Sequence, residues 1–230
     1  MVQPGPELLI LAVDLHSEAL KMHDVLRACG QLLFAKKHSN LNHLYAISAL
    51  TDNATVHCQP TKDVGLLLDS LRNLIRPSSS RSPVAHASFD VGSLCTVSES
   101  LLVAARKTSH STHSIKARVL MLYCRSNVVP VWITNHGHGL AVDVLYIHEK
   151  PMAGLNCPQE VFSTLEDTLD QMSRKADHTA YIFECSTSNT KKLLSSMVWI
   201  LAHPALRKPQ AELKLQPFDF SGLNTDMGLI

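Results

Sequence analysis

The chain has 230 residues, 45% of them hydrophobic, with only 18% charged and a formal net charge of +1. That length gives one large domain or two small ones, with room for a sizeable core. A near-neutral chain has no basic stripe to release counterions from nucleic acid, and its longest apolar run is too short to cross a bilayer. Neither nucleic acid nor membrane is expected as a partner. Six cysteines (Cys29, Cys58, Cys95, Cys124, Cys157 and Cys185) stand singly, with no C-x-x-C pair. That spacing offers no zinc ribbon and no redox motif, and without a signal peptide the chain reads as a reduced intracellular protein. The low charge content fits a surface partly covered by partners, or an ordinary large core.

Apolar runs alternate with helical periods, the pattern of a mostly parallel sheet wrapped by helices. The run Leu8 to Val13 predicts a buried first strand, and Met22, Val25, Leu26, Cys29, Leu32 and Leu33 predict a helix after it. Residues 44–50 and 54–57 read as two strands of a hairpin around Thr51-Asp52-Asn53, whose side chains bond their own backbone well. Val64, Leu67, Leu68, Leu71 and Ile75 predict a second helix, and residues 77–83 a polar, Pro-bounded loop. A third helix follows on Val91, Leu94, Cys95, Ser98, Leu101, Leu102 and Ala105. Strands are expected over 117–123 and 140–147, with a short segment at 130–132 and a turn at 135–139 between them. Pro158 opens a helix carrying Phe162, Leu165, Leu169 and Met172. A last strand over 179–185 and a last helix over 190–203, stopped by Pro204, complete the body. The expected organisation is one domain over 1–208 and an irregular or partner-ordered tail over 209–230.

The first strand ends on Asp14-Leu15-His16-Ser17-Glu18. Ligand chemistry in α/β sheets collects at the carboxyl ends of strands. In this setting Asp14 resembles the first ligand of the metal site of von Willebrand factor A (vWA) domains, whose pattern is Asp-x-Ser-x-Ser. His16 and Glu18 stand where the two serines belong, and the fourth strand ends on Cys124-Arg125 with no Asp. A hard cation needs several oxygen ligands. The expectation is a degenerate metal-site rim (Asp14, His16, Glu18, Arg125) that holds no metal, with the Arg125 guanidinium pairing an acid in the cation's place. Zinc on His110, His113, His136 and His138 would need four ligands from separate loops, and solvated histidines are the plainer reading. Cys58 beside His57 lacks the activation a nucleophilic dyad needs. No Gly-rich phosphate loop and no nucleophile elbow appears, so neither an enzyme nor a cofactor is expected.

After the last helix comes Ala202-His203-Pro204-Ala205-Leu206-Arg207-Lys208-Pro209. Two prolines stiffen such a segment, which suits a peptide laid into a groove, with Leu206 as apolar anchor and Arg207 as polar clamp. The plainer alternative is a helix stop followed by an exposed tail. On the first reading, exchanging Pro204 and Arg207 for Ala leaves thermal stability nearly unchanged.

Several segments together resemble one family, the vWA-like scaffold subunit of the BRISC and BRCA-A deubiquitinase complexes, often called MERIT. The residues carrying the resemblance are Val13-Asp14-Leu15-x-x-Glu18, Phe34-x-x-Lys37-His38, Phe89, Leu122-Tyr123-x-Arg125, Val142-Asp143-Val144-Leu145-Tyr146-Ile147-His148 and Leu201-Ala202-His203-Pro204-x-Leu206-x-x-Pro209. They span about residues 8 to 210 in order, and the last two pieces are the most specific. The resemblance implies a non-catalytic scaffold for an assembly that trims ubiquitin chains joined through lysine sixty-three. Its direct partner would be a BRE-type subunit of ubiquitin-conjugating-enzyme-variant domains, contacted through His203, Pro204, Leu206, Arg207 and Pro209. Indirect partners would be a JAMM-type zinc isopeptidase and its Abraxas-type scaffold, in nucleus and cytoplasm, serving DNA-damage signalling, DNA repair and receptor deubiquitination. The family's N-terminal extension has no counterpart here, so its sites are not carried over, and residues 217–230 match nothing in the family. Alternatives are other metal-free vWA scaffolds. One is a subunit of the general transcription and repair factor, which adds a zinc-binding cysteine cluster absent after Cys185; another is the proteasomal ubiquitin receptor, with acidic helical motifs absent here.

Overall fold

The computed structural model describes residues 5–15, 22–76, 88–108, 115–132, 140–176 and 179–213. Six strands form one sheet: β1 (Glu7–Asp14), β2 (Leu44–Leu50), β3 (Ala54–Thr61), β4 (Lys116–Tyr123), β5 (Ala141–His148) and β6 (Ile182–Ser186). Their order is β3-β2-β1-β4-β5-β6, parallel except for β3, which returns antiparallel from β2. The helices are α1 (Met22–Ser39), α2 (Val64–Ile75), α3 (Val91–Thr108), α4 (Pro158–Ala176) and α5 (Thr190–Leu201). Two short 3-10 turns follow, η1 (Pro204–Leu206) and η2 (Gln210–Glu212).

All eight positions of β1 are buried, as expected of a central strand covered on both faces. Alternation splits it between two cores. Leu9, Leu11 and Val13 face α1, α2 and α5, while Leu8, Ile10 and Ala12 face α3 and α4. The β2–β3 hairpin closes through Thr51, whose N–H and hydroxyl both reach Asn53 O at 3.1 Å. β3 is an edge strand and carries register shifts and Pro60, devices that blunt an edge against further pairing. Asp63 caps α2 by accepting the Leu66 N–H at 3.1 Å, and Asn189 caps α5 on Lys192 N–H at 3.0 Å.

The predicted elements appear in the predicted order, with three differences. β3 extends to Thr61, four residues past the expected end. β6 starts at Ile182 rather than 179, because the N–H of Tyr181 goes to the Asp143 carboxylate and the carbonyl of Thr179 to Arg207. α5 ends at Leu201, two residues early, since the residue before a proline is pushed out of the helical region. The segment 130–132 contributes a single bridge, Asp90 to Val131. Of the expected tail, residues 209–213 are described. η2 packs there, Leu213 leans on the core, and the Gln210 amide bonds both backbone groups of Ile182, at 2.8 and 2.6 Å. The loops expected at 77–83 and 135–139, the four loop histidines and residues 214–230 lie outside the described residues.

Candidate functional site

The strand order places a switch point between β1 and β4, because the chain leaves β1 for β2 on one side and later returns to β4 on the other. Ligands of open α/β sheets sit in that crevice. Asp14 ends β1 there, fully buried, and Cys124-Arg125 follow β4. The Arg125 Nε donates to both Asp14 oxygens at 3.1 Å, and the Cys124 N–H reaches the same carboxylate at 3.1 Å. The guanidinium also bonds Thr51 O and sits over the rings of Phe89 (5.5 Å) and Tyr123 (5.7 Å). A buried cation held by a carboxylate, a carbonyl and two ring faces is both paired and solvated by the protein. His16 and Glu18, the other expected rim residues, lie outside the described residues. Among the described residues no group of three or more His, Cys, Asp or Glu is gathered as metal ligands would be. His57 and Cys58 do not face each other: His57 Nε2 lies 3.2 Å from Ser70 O, and the Cys58 thiol donates to Gln59 O.

At the opposite end, where the parallel strands begin, lies a second cluster. Glu7, Arg118 and Asp143 are charged residues on buried strands, and alternation puts all three on the α1–α5 face. Glu7 pairs with Lys36, from the last turn of α1, and lies 3.8 Å from Arg118. Arg118 bonds Asp143 at 2.8 Å and donates to Ile200 O, at the end of α5. Arg207 closes the cluster. Its guanidinium takes Asp143 in a two-pronged grip at 2.5 and 3.0 Å, donates to Ile200 O and Ala202 O at 2.8 and 2.9 Å, and lies 4.3 Å over the Tyr181 ring. Three cations meet two carboxylates, and the negative end of α5 offsets the remainder. Burial pushes the Asp143 and Glu7 pKa values up, but the surrounding cations outweigh it and hold both carboxyls below their ordinary values. His43 Nδ1 accepts the Glu7 N–H at 3.0 Å, which requires a neutral ring protonated on Nε2.

The segment after α5 is therefore a folded hook. Pro204 is buried, His203 is half-buried with Nε2 3.9 Å from Glu7, and Leu206 (66% exposed) and Pro209 stand at the surface. Arg207, expected as a clamp for a partner, turns inward with its side chain fully buried. It faces the core instead of standing outward as a clamp, because a planar fork finds its best match in the buried Asp143. Glu7, Lys36 and Arg118 were not singled out in the sequence, and Asp143 stood there only within a stretch of family resemblance. Their signal was there: a charge inside an apolar strand must find a partner.

No protein-family profile and no curated protein matches the chain. Solved structures do. The TFIIH p34 N-terminal domain is 12% identical, with a TM-score of 0.56, over 85% of this chain and 96% of that one. The SpRpn10 VWA domain is 15% identical at a TM-score of 0.51, over 85% and 95%. A von Willebrand factor type A protein from Catenulispora acidiphila is 12% identical at 0.52, over 86% of this chain and 42% of that one. At these identities the likeness is one of fold. The chain is a von Willebrand factor A-like α/β domain.

Proposed function

We propose that the chain is a non-catalytic scaffold that assembles and stabilises a deubiquitinase complex acting on ubiquitin chains joined through lysine sixty-three. The observation that carries the non-catalytic part is the Asp14–Arg125 pair. It fills the switch-point crevice with the protein's own charges, where a vWA domain would offer a carboxylate to a cation. What is left for function is surface. The deubiquitinase assignment draws its support from the resemblance to the MERIT family, whose last stretch falls on the hook. In this reading the hook meets a BRE-type subunit of conjugating-enzyme-variant domains. Through that subunit the chain joins a JAMM-type isopeptidase and its Abraxas-type scaffold, in cytoplasm and nucleus, with roles in DNA repair.

The test is reconstitution. Purified chain and purified conjugating-enzyme-variant subunit are expected to form a stable complex in size-exclusion chromatography, and the chain alone to leave lysine-sixty-three-linked di-ubiquitin intact with or without zinc. Cleavage by the pure chain refutes the scaffold reading; failure to bind refutes the partner.

A further inference from the structure

Buried polar side chains find hydrogen-bond partners almost without exception, so the few that lack one in the protein point to a ligand that supplies it. Among the described residues, the buried side-chain atoms without such a partner lie on Glu7, Tyr45 and Arg118, with the single exception of the Ser98 hydroxyl. Ser98 stands on α3, whose buried face packs into the other core. The remaining three residues are neighbours by register. Tyr45 on β2 and Arg118 on β4 both pair with Leu9 of β1, one on each side, and Glu7 precedes Leu9 by two residues on the same face. Diagonal neighbours on one face of a sheet lie about 7–8 Å apart, within reach of side chains as long as these. The gaps around the carboxylate are alike in size. Arg118 Nη1 lies 3.8 Å from Glu7 Oε1, and His203 Nε2 lies 3.9 Å from Glu7 Oε2. Both are too long for a direct hydrogen bond and suited to a bridging one.

The donor set selects the ligand. Tyr45 Oη and Arg118 Nη1 each offer a hydrogen, while the Glu7 carboxylate offers only lone pairs. Burial, with the Glu7 charge behind it, pushes the Tyr45 hydroxyl above its ordinary value, so it remains a donor. An anion here would meet the Glu7 carboxylate, and a metal cation would meet Arg118 and Lys36. A water molecule can accept from both donors and donate to the carboxylate, and about three such bonds are the usual complement of a buried water. We propose that Glu7, Tyr45 and Arg118 form a binding site for a structural water that joins β1, β2 and β4 beneath the last turn of α1. The charge cluster that holds Arg207 then continues through this water to β2, so that the sheet, α1 and the hook share one hydrogen-bond network.

The test is a high-resolution crystal structure of the full chain, paired with thermal melts of Tyr45→Phe. A water peak within hydrogen-bond distance of Tyr45 Oη, Arg118 Nη1 and a Glu7 oxygen is expected. The exchange keeps the ring and removes only the hydroxyl. With the water in place, its loss should lower Tm by about 2–4 °C, the worth of a hydrogen bond in a chain of this size. A hydroxyl buried with no partner destabilises the fold, and removing it raises Tm instead. A variant that melts with or above the wild type therefore overturns the site, as does a wild-type structure without the peak. A peak that bromide replaces in soaked crystals would mark an anion and equally overturn the water.

Discussion

Replacing Arg207 by Ala removes a fully buried guanidinium that bonds Asp143 twice, three backbone carbonyls (Ile200, Ala202 and Thr179), and the face of Tyr181. Deleting one member of a buried ion pair costs about 3–5 kcal/mol, because the charge left behind stays desolvated. Asp143 here keeps Arg118 at 2.8 Å and the Tyr181 N–H at 2.9 Å. The loss therefore falls at the low end, about 3 kcal/mol. For a chain of this size that corresponds to a drop of about 6–12 °C in Tm. Arg207→Lys keeps the charge but loses the fork and the stacking, and should fall between the two. The neighbouring Lys208→Ala, at an exposed position, should stay within about 0.5 kcal/mol of wild type. Thermal melts followed by circular dichroism, with urea titrations alongside, measure all three. Should Arg207→Ala melt together with Lys208→Ala, the hook is not clamped and the reasoning built on it is wrong.

Burial holds His43 and His203 below their ordinary value of 6.5, against the opposing pull of Glu7. Such a ring takes a proton more readily in the unfolded chain, so stability is full above pH 6.5 and falls as pH drops below it. The urea midpoint should decline from about pH 7.5 to about pH 5.5, and His43→Asn should flatten that decline; equal slopes would show that His43 does not couple to folding. A micromolar magnesium site would add about 4 kcal/mol at a thousandfold excess of the ion over its Kd. We expect no rise in Tm with magnesium, and a rise that disappears in Asp14→Ala would mean that Arg125 does not hold the site. Burial pushes the thiols of Cys29, Cys95 and Cys185 up to about 12, whereas Cys58 is half-buried on an edge strand. Iodoacetamide at neutral pH should therefore modify Cys58 in the native protein and the other three after unfolding, as peptide mass spectrometry would report. Native labelling of Cys29 as fast as Cys58 would contradict the packing of α1.

The hook shows where reading by segment stops. From its residues the stretch from His203 to Pro209 is as good a docking peptide as a helix stop. Nothing local distinguishes an Arg that reaches out from one that turns in. That choice belongs to Asp143, 64 residues earlier in the chain, and to Tyr181, and both arrive through the pairing of β5 with β4 and β6. The place of Gln210 was hidden for the same reason. Gln210 carries no helical or strand period, yet its amide completes the edge of β6 in place of a neighbouring strand.

Sequence alone determined the alternation of strands and helices, the burial of the first strand and the position of Asp14 at its end. Runs of apolar side chains and their spacing are local properties, and burial acts on them directly. The pairing of Asp14 with Arg125 could be proposed from charge alone, but its distance and burial came from laying β1 against β4. The cluster of Glu7, Lys36, Arg118, Asp143 and Arg207 was decided by tertiary structure. A buried charge is tolerable only where partners from distant segments converge on it, and that convergence is a property of the folded sheet rather than of any stretch of chain.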